Sequence, residues 1–113
     1  PDEDNGAEQI IKEVGGDICE SLSKKNISEV INYIAVSDLY VGNDSFGHHF
    51  ACQMGKPSFV ILLNSPKAYS DYSKHQYRII PPRANIDEID HGSEFDPNTI
   101  SVDMVIDRIK KFI

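Results

Sequence analysis

Gly42, Asn43, Asp44, Ser45 and Gly47 fall within six positions, between an apolar run and a helical one. Residues of these types tolerate unusual backbone angles and cap helices. Ahead of them, Leu39, Tyr40 and Val41 read as a short buried strand; behind them, 45–54 reads as a helix closed by Gly55. A turn from the carboxyl end of a strand into the amino end of a helix is where open α/β sheets bind ligands. Orphan N–H groups and the positive end of the helix dipole converge there, so an anion is the natural occupant. A diphosphate cradle in this turn would use the N–H groups of Ser45, Phe46 and Gly47. The plainer alternative is a strand-to-helix turn with Asp44 or Ser45 as the cap, and spacing alone weighs the two about equally.

His48 and His49 invite a metal reading. Adjacent helical side chains point about 100° apart, so the pair is not expected to share an ion. His49 is expected to bond a phosphate oxygen or to brace the neighbouring loop, and His48 to be surface or packing. Asp38 reads as a loop or helix-end hydrogen bond. Tyr69 and Tyr72, with Lys67 and Lys74, read as a solvated loop rather than a lid over a ligand. Asp87, Glu88, Asp90, Glu94 and Asp96 lack the alternating spacing and central glycine of a calcium loop and read as solvated charge. No metal ligand set and no catalytic residue is assigned in this chain.

The run from Asp38 through Gly42-Asn43-Asp44-Ser45-Phe46-Gly47 to His49, with Ala51 and Gly55-Lys56-Pro57, resembles the signature of the ADP-heptose:lipopolysaccharide heptosyltransferases. These are family 9 glycosyltransferases of the GT-B fold. The stretch 100–105 resembles the start of that family's last helix. The resemblance covers most of the chain but only the second half of such an enzyme. It implies a donor-binding site made of Asn43, Asp44, Ser45, Phe46, Gly47 and His49, with Asp44 near the donor sugar. Here Phe46 stands in a variant of the commoner Ser-Gly-Pro pattern. The implied reaction is inverting, metal-independent transfer of a sugar from a nucleotide diphosphate such as ADP to a lipid-linked or glycan acceptor. It belongs to the synthesis of lipopolysaccharide or a related glycan and takes no cofactor. The implied partners are the nucleotide-sugar donor, the acceptor and an amino-terminal domain of the same enzyme, which supplies the base. The chain alone is therefore expected to be inactive. The implied location is cytoplasmic, peripheral at the inner face of the bacterial inner membrane. Two other readings stand beside this one: another GT-B enzyme, such as a nucleotide-sugar epimerase, and a non-catalytic α/β module that binds an anion or a partner.

The elements that must position these residues fit a chain of 113 residues, enough for one α/β domain over 1–113. Apolar content of 40% and charged content of 26% are ordinary for a globular chain. A formal charge of −7 argues against broad contact with nucleic acid, which rests on neutralised phosphates. It leaves room for one local anion site. Cys19 and Cys52 form no metal or disulfide pattern and read as free thiols. A first helix over about 4–14, capped by Asp4 or Asn5, should end at Gly15-Gly16. A weak strand follows at 17–22. Asn26 and Glu29 fit a capping box for a helix over 27–36, with Ile27, Val30, Ile31, Ile34 and Ala35 as its apolar stripe. Core strands are expected at 58–63 and 77–80, with a polar loop at 64–76 between them. Residues 83–98 read as a long surface loop. Ser101 should cap a last helix with Val102, Val105, Ile106, Ile109 and Ile113 on its apolar face. The expected architecture is a three-layer α/β sandwich with a short, mostly parallel sheet, the Rossmann-like carboxy-terminal half of a GT-B fold. An α/β chain that opens on a helix lacks that helix's partner strand, which suggests a carboxy-terminal fragment.

Overall fold

The structure is a computed structural model that describes residues 2–113, with side chains from Gly6 onward. Its chain divides into two units, Pro1–Tyr33 and Ile34–Ile113. It is an α/β protein with a three-stranded parallel sheet and four α-helices among the described residues.

In the first unit, helix α1 spans Asp2–Val14. The expected caps Asp4 and Asn5 lie inside it, because acidic residues suit a helix's positive first turn and let it extend further. Gly15 ends the helix at φ 109°, a left-handed angle that favours glycine, and its N–H donates to Ile11 O at 2.8 Å. The strand expected at 17–22 does not form. The N–H groups of Ile18 and Cys19 both turn back to Gly15 O, at 3.1 and 3.2 Å, and Ile18 is 73% exposed. Amides engaged in a turn cannot also pair laterally in a sheet. Helix α2, Ile27–Val36, begins in the first unit, runs on into the second, and opens on the expected capping box. The Glu29 N–H donates to Asn26 Oδ1 at 2.9 Å, and the Asn26 N–H donates to Glu29 Oε2 at 3.0 Å. Its apolar stripe is narrower than expected: Ile34 is buried and Val30 and Ile31 half-buried, while Ile27 and Ala35 are exposed.

The second unit holds the sheet: β1 Tyr40–Asn43, β2 Ser58–Ile61 and β3 Gln76–Ile79, in that spatial order. All pairings are parallel, with Tyr40 opposite Ser58 and Ser58 opposite Gln76. Parallel neighbours need crossovers. Helix α3, Phe46–Gln53, supplies the first, and residues 62–75, with a 3₁₀ turn at Lys67–Ser70, supply the second. Strand β1 is not the buried strand expected. It alternates half-buried and exposed residues at the sheet edge, and it runs on through Gly42 and Asn43, which were read as turn. Strand β2, flanked on both sides, buries Ser58, Phe59 and Val60.

Helix α4, Val102–Ile109, is capped as expected: the Met104 N–H donates to Ser101 Oγ at 3.2 Å. Its inner face differs from expectation. Met104, Val105 and Ile109 are half-buried, whereas Val102, Ile106 and Ile113 are exposed. Phe112, in the 3₁₀ turn that follows, stands edge-on to Phe59 and Tyr77 with centroids 5.1 and 5.0 Å away. Those edge-to-face contacts hold the chain end. Residues 83–98 are more than a surface loop. Ile89 is buried against Val60 and Leu62, and Ile80, Ile86 and Phe95 close around them. No helix among the described residues is long and apolar enough to cross a membrane.

Candidate functional site

The carboxyl ends of β1 and β2 and the amino end of α3 meet at one edge of the sheet, and Tyr40 supports that edge from below. Its hydroxyl donates to Asn43 O at 3.4 Å and accepts from Ser45 Oγ at 3.2 Å. A Cβ at Gly42 would lie 2.5 Å from the Tyr40 oxygen, and one at Gly47 would lie 2.8 Å from a ring carbon. Both glycines thus leave room for the Tyr40 ring packed against them. Sequence reading gave them a different reason, tolerance of unusual backbone angles.

Ser45 has extended N-cap geometry, yet its side chain makes no cap hydrogen bond. The hydroxyl is turned to Tyr40 instead. The first-turn amides of α3 therefore have no side-chain cap, the condition under which a helix end accepts an anion. Asn43, Ser45 and Phe46 are exposed around this turn, whereas Gly47 is buried. Beside the turn lies a cavity of about 240 Å³ lined by Asn43, Asp44, Ile61, Leu63, Asn64 and Ser65. Leu63, Asn64 and Ser65 escaped the sequence reading. Their position just past the end of β2, on the edge where α/β ligands bind, was the available signal.

Asp44 is the charged residue of the turn. Its side chain is 9% exposed, and Oδ1 is buried without an aligned hydrogen bond. His49 Nε2 faces that oxygen at 3.2 Å. The other ring nitrogen of His49 bonds the hydroxyl of Tyr72, whose ring stacks on the imidazole with centroids 5.8 Å apart. The Cys52 Sγ lies 3.4 Å from the same hydroxyl and 3.3 Å from His49 O, its two hydrogen-bond acceptors. Burial, then contact with Cys52, pushes the pKa of Tyr72 up to about 12, so the phenol keeps its proton at neutral pH. His49 thus braces the loop, one of the two roles expected of it.

His48 is fully buried. Its environment fixes its tautomer. Gln76 Oε1 accepts the N–H groups of Tyr72 and Ser73, each at 3.0 Å, which leaves the Gln76 amide nitrogen as a donor. That nitrogen lies 3.0 Å from His48 Nε2, so Nε2 is the acceptor. Nδ1 then carries the proton and donates to Ser58 Oγ at 2.6 Å, and the Ser58 hydroxyl donates on to His48 O at 3.4 Å. Burial, followed by the charge of His49, holds the His48 pKa below its ordinary value.

The two histidine rings do not diverge as expected. Their centroids are 4.9 Å apart, and ligand atoms of Asp44, His48 and His49 all lie within 4.8 Å of one another. Ser58 and Gln76 engage both nitrogens of His48, and Tyr72 and Asp44 face those of His49, so the trio is read as a hydrogen-bonded cluster. Elsewhere, Tyr69 bonds His91 at 3.3 Å, and Arg78 binds Asp71 at 2.7 Å and Ser70 at 2.8 Å. The turn thus brings together Asn43, Asp44, Ser45, Phe46, Gly47 and His49, and Ser58, Tyr72 and Gln76 join them as supports that spacing did not reveal. No protein-family model, no curated protein and no solved structure matches this chain.

Proposed function

We propose that residues 43–47 form the diphosphate cradle of a nucleotide-sugar-binding domain, one that serves inverting, metal-independent sugar transfer of the heptosyltransferase kind. The observation that carries the reading is the uncapped first turn of α3, opened because Ser45 Oγ is held by Tyr40 rather than by the helix. A diphosphate leaving group gathers negative charge, and aimed backbone dipoles are the means to stabilise it. Each such interaction contributes about 0.3–1 kcal/mol when exposed and up to about 2 kcal/mol when partly buried. The adjoining cavity, with Asp44 and Asn64 in its lining, suits the hydroxyl-bearing part of a donor. Asp44 has no place beside a phosphate, since its carboxylate repels one; on this reading it faces the sugar.

The test is an NMR titration with ADP, UDP and inorganic diphosphate, read at the amides of Ser45, Phe46 and Gly47. Saturable shifts are expected at ligand concentrations on the order of millimolar. They should weaken when Asn43, Asp44 and Ser45 are all replaced by alanine. A preference for ADP over inorganic diphosphate would favour a nucleotide-sugar donor over a plain anion site. Absence of shifts at all three amides with every ligand would overturn the proposal.

A further inference from the structure

Adjacent histidines on α3 are gripped by the same segment of chain, His48 by Gln76 and His49 by Tyr72. The hydrogens around His48 require its Nδ1–H tautomer, as argued above. Around His49 they run the other way. Buried Asp44 Oδ1 needs a donor, and the atom facing it at 3.2 Å is His49 Nε2. Nε2 therefore carries the proton, and Nδ1 accepts from the Tyr72 hydroxyl.

We infer that Tyr72 is a positioning residue for the turn: by donating to Nδ1 and stacking on the ring, it holds His49 in the Nε2–H tautomer and aims that donor at Asp44. Hydrogen bonds to one ring nitrogen set what the other can do. The contact with Asp44 is short of alignment, so it depends on how the ring is held. Held there, the Nε2–H offsets part of the carboxylate charge that would repel a diphosphate at the first-turn amides, and this last step rests on the diphosphate reading of the turn. The coupling also runs backwards. Tyr72 N donates to Gln76 Oε1, whose amide reaches His48, so the loop is pinned at both histidines.

Long-range proton–nitrogen correlation spectra at about pH 8, above the ordinary histidine value of about 6.5, decide the point. The unmodified protein should show His48 as the Nδ1–H form and His49 as the Nε2–H form. In Tyr72→Phe, His49 should become a mixture of tautomers while His48 keeps its signature, which doubles as a check on folding. Affinity for inorganic diphosphate should fall roughly three- to ten-fold in that variant. An Nδ1–H form for His49 in the unmodified protein overturns the inference, and that spectrum needs no variant. A tautomer that stays unchanged in Tyr72→Phe, or an unchanged diphosphate affinity, overturns the positioning role. If the tautomers are opposed as expected but diphosphate never binds, the arrangement of His49 stands and the diphosphate reading falls.

Discussion

His48 is a neutral imidazole held in a core, and that gives it a defined effect on stability. Burial is the main cause of its lowered pKa, the charge of His49 adds to it, and Asp44 opposes it. In the unfolded chain the same ring titrates near its ordinary value of about 6.5. As pH falls, the unfolded state binds the proton first, so stability rises with pH in this range. The contribution is complete above about pH 6.5 and is lost as pH falls from there through the folded-state value. A protonated ring would also turn an N–H toward the Gln76 amide, donor against donor. Thermal melts should therefore weaken below about pH 6.5. A His48→Gln variant, which keeps polar groups but cannot titrate, should show a shallower decline than the unmodified protein. Parallel declines would mean that carboxylates alone govern the acid limb. None of this was readable from the histidine itself. Ser58 is ten positions away and Gln76 twenty-eight, and no local pattern marks either as a partner.

At the scale of elements, the signals that proved readable are the local ones. Asn26 with Glu29, Ser101 with Met104 and Gly15 with Ile11 each act within one helical turn, so their spacing predicts their contacts. The segment 17–22 shows the converse: its apolar residues fit a strand, but a strand needs a neighbour, and the amides of Ile18 and Cys19 are held by Gly15. The turn into α3 lies between these cases. Its glycines were legible as special, but the reason was not, because Tyr40 precedes Gly47 by seven positions and reaches it only across the strand-to-helix turn. Gly47→Ala should force a Cβ against the Tyr40 ring and destabilise by about 1–3 kcal/mol, the usual cost of overpacking. If the ring is the cause, the same substitution in a Tyr40→Leu background should cost clearly less. Urea denaturation of the four proteins in that cycle measures the coupling. Equal costs in both backgrounds would show that Gly47 is required for its backbone and not for the space above it.

For the molecule as a whole, composition and periodicity pointed to an α/β chain with parallel strands, and the sheet bears that out. Composition was silent on what covers β2. Three short strands bury little, and a chain this size has a thin core. Residues 83–98 looked like solvated loop because their acids outnumber their apolar residues and follow no period. Burial there depends on three separated apolar residues rather than on a stripe: Ile86, Ile89 and Phe95 close over Val60 and Leu62. Two short 3₁₀ turns aim them. One is capped by Asn85, which accepts from the Asp87 N–H at 3.1 Å, and the other by Asp96, which accepts from the Asn98 N–H at 2.9 Å. The acids that looked like a failed calcium loop thus serve in part as turn caps, leaving the isoleucines free to turn inward. Ile89→Ala should then cost about 2–5 kcal/mol, the range for truncating a buried aliphatic side chain. Asp87→Ala, whose carboxylate lies on the outer side of the same turn, should cost no more than about 0.5 kcal/mol. Chemical denaturation of both variants gives the comparison. A cost at Ile89 as small as that at Asp87 would return the segment to the status of solvated loop, and β2 would need another cover.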